Sequence, residues 1–472
     1  MFIKLNNIKN TILHSKKEII ILLFITTIGF FLRIHNNFEQ GYWADEILTL
    51  IISNPLLPHE QTLKNWKELD GSPVLYFYFL KIFFLIFGFT AENGRLFSVI
   101  FSTLSIFISF FFFKIKYSNS VSLFGCMLVA LNVFLIWQSK ETRIPSSVVF
   151  FSIANIIYFY YFINQINNLR LLLLCIFNIF LVSYYPFTIT IVFSQLLFLI
   201  LMQKKFLEKL KITYFYLVSL SLYILINYNY LIFWIKKDSG NLGPITYKFF
   251  FNYFFSSFFG TYVFGGFFLI IFAIAVLKIL KKKIFVNDIL IFHLIIIFTI
   301  YSFLILYSLF KTGIAVPRYF IFLLPSIIFV ILSLLDKKNL KKFMITFFLI
   351  STYNVIISLP KSSIPKPPMK DLFDNLPKNE SKIIYINDPF FGIFLKNYNK
   401  LQMDYKVISE TNDLNIYKKI WFICLNNPKS VVGNLVLENE KKCEIKIENF
   451  KEIKKFYITD FKIVLFENEN QI

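Results

Sequence analysis

Apolar stretches recur along almost the whole chain, at roughly 18–34, 96–113, 119–137, 147–163, 171–187, 188–202, 213–235, 259–277, 288–310, 319–335 and 343–359. A helix needs about 20 apolar residues to cross a hydrocarbon core about 30 Å thick, with a working range of about 17–25. Composition agrees with repeated crossing. Of 472 residues, 57% are hydrophobic and 16% charged, against roughly 25% charged in a soluble domain. That deficit points to a bilayer rather than one large water-soluble core. The expected fold is an α-helical polytopic membrane protein with about eleven spans.

The formal net charge is +21. In a soluble domain that would suggest nucleic acid. Here the lysines cluster at the ends of apolar spans, where they set topology and meet anionic lipid. Membrane lipids are therefore expected partners and nucleic acid is not. Lys4, Lys9, Lys16 and Lys17 precede the first apolar run, and no small-residue cleavage site follows it. The run reads as a first span with a cytoplasmic N-terminus, not as a cleaved signal.

The segment Val74 to Gly88 is apolar but short, with Lys81 at its middle. At 1.5 Å per residue it reaches about 22 Å, less than the core. If it does not cross, the cytoplasmic side receives Lys114 and Lys116, then Lys204, Lys205, Lys209 and Lys211. Lys278 and Lys281 to Lys283 follow, and then Lys337, Lys338, Lys341 and Lys342. If it does cross, nearly all of these move outside, against the positive-inside rule. Residues 74–88 are therefore expected to form an interfacial or re-entrant helix on the outer face. The loops 35–95, 138–146 and 311–318 then lie outside, as do the last 110 or so residues. The expected location is the inner or plasma membrane.

The membrane part ends near residue 360. Ser362, Ser363, Ile364, Pro365, Lys366, Pro367 and Pro368 make a semi-rigid linker over 361–368. Beyond it, β-rich runs appear at Lys382–Asn387, Lys419–Leu425, Cys443–Glu448, Lys454–Thr459 and Phe461–Phe466. Residues 369–472 therefore read as a small extracytoplasmic α/β domain. Cys126 and Cys175 fall in expected spans. Cys424 and Cys443 fall in the tail, where a disulfide is open. The four His are scattered and form no metal motif.

Ionisable residues gather in the outer loops. Gly41, Tyr42, Trp43, Ala44, Asp45 and Glu46 set two carboxylates beside interfacial aromatics. A partly desolvated carboxylate there can take a proton from an acceptor hydroxyl or amine; the plainer reading is a solvated acidic loop. Asp70, Gly71, Ser72, Pro73, Val74, Leu75 and Tyr76 follow, then Lys81 and Arg95. A guanidinium at the depth of Arg95 is costly unless it is paired or binds an anion; it could also snorkel. The next outer loop holds Gln138, Ser139, Lys140, Glu141, Thr142 and Arg143, where an ion pair within the loop is the plainer reading. Val316, Pro317, Arg318 and Tyr319 close the set. Carboxylates and arginines thus share one face of the membrane, although the spans are nearly free of charge. A transporter more often keeps such residues near mid-membrane.

The order of these motifs resembles that of the GT-C glycosyltransferases that use polyprenyl-phosphate sugars. The family includes protein O-mannosyltransferases and the aminoarabinose transferases of lipid A. Asp45–Glu46 is similar to the family's acidic pair in the first outer loop. The stretch Ser72, Pro73, Val74, Leu75, Tyr76, Phe77 is similar to its His-Pro-Pro-Leu-Tyr-Tyr stretch, with Ser72 for the His and Val74 for the second Pro. Arg95, Leu96, Phe97, Ser98 resembles an Arg-Leu-Pro-Ser helix start. Ser139, Lys140, Glu141, Thr142, Arg143 resembles a Ser-Arg-Glu-Ala-Arg loop, and Pro317, Arg318, Tyr319 a late Pro-Arg-Tyr. The resemblance is strongest over 40–150 and returns near 318.

What the resemblance implies is a GT-C-like membrane domain over residues 1–360. It would transfer a sugar from a polyprenyl-phosphate donor to an extracytoplasmic lipid, polysaccharide or protein, with inversion at the anomeric carbon. Asp45 would be the general base, with Glu46 or Glu141 assisting. Arg95, Arg143, Arg318 and Lys81 would neutralise the departing phosphate. Asp70, Ser72, Tyr76 and Tyr319 would position the acceptor. The sequence fixes no cofactor, and a need for a divalent metal stays open, with no motif that indicates one. Two other readings are a polysaccharide or lipid translocator and an O-antigen ligase or polymerase. The latter usually places its large outer loop late, whereas here the large loop comes first.

Overall fold

The computed structural model describes residues 16–37, 42, 44–69, 73–202, 206–228, 230–232, 256–281, 288–310, 316–334, 340–358, 372, 375–377, 380–386, 406–408, 414, 416–425, 447, 449–458 and 461–471. Its contacts divide into two units. The first comprises Met1–His35, Trp66–Phe83 and Arg95–Ser362; the second comprises Asn36–Asn65, Phe84–Gly94 and Ser363–Ile472.

In chain order the principal helices are α1 (Lys16–Ile34), α2 (Ala44–Ile52), α3 (His59–Leu69), α4 (Val74–Phe87) and α5 (Ala91–Lys114). Next come α6 (Asn119–Ala130), α7 (Val133–Ser139), α8 (Pro145–Asn164), α9 (Asn168–Tyr184) and α10 (Ile189–Met202). The last are α11 (Phe206–Ile226), α12 (Tyr262–Leu280), α13 (Asp288–Phe310), α14 (Leu324–Leu332) and α15 (Leu340–Ser358). Short 3₁₀ turns occupy Pro186–Thr188 and Pro317–Leu323, each begun by the proline whose fixed φ suits a first helical position. Every expected span falls on one or two of these elements.

Among the described residues, five helices are long and apolar enough to cross a membrane alone: α5, α8, α11, α12 and α13. A bent pair, α6 and α7, makes a sixth candidate. Eleven spans therefore stays a proposal. The outer faces are apolar in the way a lipid-facing surface requires. Leu207, Leu225, Val263, Leu280, Phe298 and Leu309 are all exposed, a density unusual for a water-soluble surface.

The span expected over 119–137 is bent at a break. Its two helices meet at an angle of 54°. Asn132 makes the break: its side-chain oxygen accepts from Leu135 N at 2.9 Å and its amide donates to Phe258 O at 3.0 Å. A capped second helix inside a bundle satisfies its own first N–H, so the bend leaves less backbone unpaired.

Contacts fix the directions of the first helices. Gly29 of α1 lies against Ile106 of α5, and Arg33 Nε donates to Ser102 Oγ at 2.7 Å, so α1 and α5 run antiparallel. The Asn119 amide donates to Glu18, and Arg33 Nη1 donates to Ala130 O at 3.0 Å, so α1 and α6 run parallel. Glu18 and Asn119 thus share one end of the bundle, with α1 and α5 traversed between them. This pattern agrees with an α4 that makes no net crossing. At 14 residues α4 is about 21 Å long. It buries Tyr76, Phe77 and Leu80 and exposes Ile82, Leu85 and Ile86. Ser118, between α5 and α6, and Glu60, on α3, are both exposed. A membrane-impermeant thiol reagent added outside intact cells is expected to label Glu60→Cys but not Ser118→Cys. Labelling of both would mean that α4 crosses.

Inside the first unit, polar groups are paired across helices. Asn155 donates to Asn178 at 2.8 Å, Asn178 to Gln195 at 3.0 Å and Gln195 back to Asn155 at 2.6 Å. Tyr216 adds a bond to Gln195 at 3.2 Å. This closed ring ties α8, α9, α10 and α11 together where lipid offers no competing partner. Arg33, fully buried, also donates to Gly29 O at 2.9 Å and Val129 O at 3.3 Å. Its charge is held by four oxygen acceptors rather than by water.

In the second unit the tail forms a five-stranded sheet. Its strands are β1 (Ile383–Tyr385), β2 (Lys406–Ile408), β3 (Lys419–Leu425), β4 (Phe450–Ile458) and β5 (Phe461–Asn468), in the order β2-β1-β3-β5-β4. β1 is parallel to β2 and β3; β5 is antiparallel to β3 and β4. Ile420, Trp421, Phe422 and Ile423 are all buried, so both faces of β3 are covered and the strand reads as a continuous apolar run. Tyr385, Leu414, Phe450, Val464 and Phe466 pack on one side. Strand β2 was not expected, and β4 begins earlier than the run at 454. The run expected at 443–448 lies almost wholly outside the described residues, as do the linker and Cys443. Cys424 is disulfide-bonded, whereas Cys126 and Cys175 are free.

Candidate active site

The acidic pair belongs to the second unit. Asp45 and Glu46 fill the first turn of α2, where the positive end of the helix dipole favours carboxylates. Asp45 is half-buried and Glu46 is fully buried. Thr49 Oγ1 donates to Asp45 O at 2.8 Å and closes the turn. Just before it, Tyr42 is buried and its hydroxyl donates to Glu92 Oε1 at 3.4 Å. Asp70 and Ser72 lie outside the described residues.

The cationic set belongs to the first unit. Arg95 sits in the second turn of α5 and is fully buried. One turn on, Ser98 Oγ is buried with no hydrogen-bond partner. Lys81 on α4 is half-buried, and desolvation lowers the pKa of its ammonium. Tyr76 is buried with its ring edge-on to Phe97 at 6.1 Å and to Tyr184 at 6.0 Å. Glu141 and Arg143 are half-buried in the turn between α7 and α8, where Arg143 N donates to Glu141 O at 2.8 Å. The neighbouring Lys140 is 3% exposed and its ammonium donates to His35 O at 2.8 Å. Arg318 and Tyr319 open the 3₁₀ turn before α14, with the guanidinium 5.7 Å from the Tyr319 ring. Tyr319 stacks on Phe187 at 5.4 Å.

Two of the arginines are brought together at Tyr185. The fields of Arg318 and Arg143 both reach Tyr185, as do Tyr319 and Tyr230. Arg143 and Arg318, far apart in sequence, are therefore neighbours of one tyrosine. Tyr185 and Arg33 lie outside the motifs that the sequence singles out, and Lys140 lies inside one without a role. The break Tyr184-Tyr185-Pro186 between two apolar runs was the available signal for the first. Among the described residues no group of three or more His, Cys, Asp or Glu could hold a metal ion.

Residues 71–228 match the family profile described as dolichyl-phosphate-mannose-protein mannosyltransferase. No curated protein matches by sequence. Among solved structures, ArnT from Cupriavidus metallidurans bound to undecaprenyl phosphate aligns with a TM-score of 0.56 at 8% identity, covering 95% of this chain and 97% of ArnT. The apo form of that protein aligns with a TM-score of 0.59 at 7% identity, with the same coverage. The apo oligosaccharyltransferase of Archaeoglobus fulgidus gives 0.52 at 13% identity, covering 85% of this chain and 66% of that one. Identities this low speak to fold. The chain thus shares the fold of ArnT and of the archaeal oligosaccharyltransferase, and its residues 71–228 are similar to the dolichyl-phosphate-mannose-protein mannosyltransferase family.

Proposed function

We propose that the protein transfers a sugar from a polyprenyl-phosphate carrier to an acceptor on the extracytoplasmic face of the membrane. The observation that carries this reading is the convergence of Arg143 and Arg318 at Tyr185, within a fold shared with a protein that holds undecaprenyl phosphate. Arg95, Arg143, Arg318 and Lys81 bind the carrier phosphate as cations clamp developing charge elsewhere. Asp45 is the general base, helped by Glu46 or Glu141. Asp70, Ser72, Tyr76 and Tyr319 position the acceptor. An apolar recess of about 140 Å³ between α9, α10 and α11, lined by Ile179, Val182, Val192, Leu196, Leu220 and Tyr223, suits part of an isoprenoid tail. The N-terminus is cytoplasmic and residues 369–472 are an extracytoplasmic domain, a placement in keeping with the oxidised Cys424. Lipid profiling of cells lacking the protein tests the proposal. A polyprenyl-phosphate sugar should accumulate and a glycan be lost from its acceptor; an unchanged lipid and glycan profile would contradict it.

A further inference from the structure

Tyr184 and Tyr185 are consecutive, both buried, and differ in one respect. The Tyr184 hydroxyl donates to Ser147 Oγ at 2.6 Å. The Tyr185 hydroxyl is buried and has no hydrogen-bond partner. The rest of Tyr185 is tightly held. Its N–H donates to Leu181 O at 2.9 Å, and its carbonyl accepts from Thr188 N at 3.0 Å and from Thr188 Oγ1 at 2.6 Å. Its ring stands edge-on to Phe187 at 5.5 Å and to Phe322 at 6.2 Å. Pro186 fixes the turn that follows. The hydroxyl is thus held by a rigid frame and left unsatisfied, which is unfavourable for a buried donor. A native protein tolerates such a group where something outside the chain completes it. The surroundings say what that is. Two guanidinium groups, on Arg143 and Arg318, reach this site electrostatically. A neutral O–H within the influence of two cations is a donor suited to an anion, and a phosphate offers enough oxygens to take all three.

We propose that the Tyr185 hydroxyl binds the phosphate of the polyprenyl carrier directly, donating a hydrogen bond to an oxygen that Arg143 and Arg318 also hold. The inference rests on the donor-phosphate reading above and extends it to a residue outside the family-like motifs. During transfer the C–O bond to the anomeric carbon breaks and its electron pair stays on the phosphate, which gains a negative charge. A hydroxyl donor fixed in place strengthens as that charge develops.

The test compares Tyr185→Phe, Arg143→Ala and Arg318→Ala with the wild type in the purified full chain. Undecaprenyl phosphate is titrated into each, and inorganic phosphate is titrated separately. Tyr185→Phe keeps the ring contacts and removes only the unpaired oxygen, so its thermal stability should match or exceed the wild type. Its affinity for undecaprenyl phosphate should fall about tenfold, the value of one hydrogen bond to a charged group. Inorganic phosphate that competes, and loses affinity in parallel, marks a headgroup site open to any phosphate. Phosphate that does not compete marks a site reserved for the lipid. Both outcomes support the tyrosine as ligand. Wild-type affinity in Tyr185→Phe beside weakened arginine variants overturns this inference alone. Wild-type affinity in all three overturns the donor-site reading as well. A lowered melting temperature with unchanged affinity assigns Tyr185 to structure.

Discussion

Arg95→Ala is expected to weaken binding of the polyprenyl-phosphate donor by about 10- to 100-fold, and transfer with it. Arg95 is fully buried in the second turn of α5. A hydrogen bond to a charged partner in such a place is worth about 1.5–3 kcal/mol, and each 1.4 kcal/mol is about tenfold in affinity. Arg95→Lys should recover only part of the loss, because an ammonium lacks the planar fork that meets two phosphate oxygens. Titration of undecaprenyl phosphate into the purified variants checks this, with melting temperatures recorded alongside because the site is buried. A folded Arg95→Ala that binds the lipid like wild type would remove Arg95 from the donor site.

The helices were legible because hydropathy is a local property, and each apolar run of the first 360 residues carries helix among the described residues. The order of the outer-loop motifs was legible too, since each motif is a few adjacent residues. What escaped depends on distant partners. The break at Asn132 needs the Phe258 carbonyl, which no local pattern signals. Arg33 closes the first apolar run, and nothing local signals that it is buried against Ser102, Val129 and Ala130. In the tail, β3 matches the run Lys419–Leu425, because a strand covered on both faces is uniformly apolar. β2 was missed: it is three residues long and begins with an exposed lysine. Tyr185 looked like one more aromatic in an aromatic-rich chain. Only the structure separates it from Tyr184, by the single hydrogen bond that one makes and the other lacks.

Asp45 is the residue on which the proposed transfer depends most. In the proposed step the acceptor hydroxyl attacks the anomeric carbon, Asp45 takes its proton, and the carrier phosphate leaves with the bonding electron pair. Asp45→Asn keeps the size of the side chain at the start of α2 and removes only its basicity. A missing general base typically costs about 10² to 10⁴ in rate. Glu46→Gln, one residue on and fully buried, is the neighbour control. The decisive measurement is donor cleavage by the purified chain, using a polyprenyl-phosphate sugar and an extracytoplasmic acceptor fraction. Wild type should release polyprenyl phosphate and glycosylate the acceptor. Asp45→Asn should bind the donor normally yet fall by about 10² to 10⁴, and Glu46→Gln should fall much less. Full turnover by Asp45→Asn, or a wild type that moves the intact lipid across vesicles without cleaving it, would contradict the account.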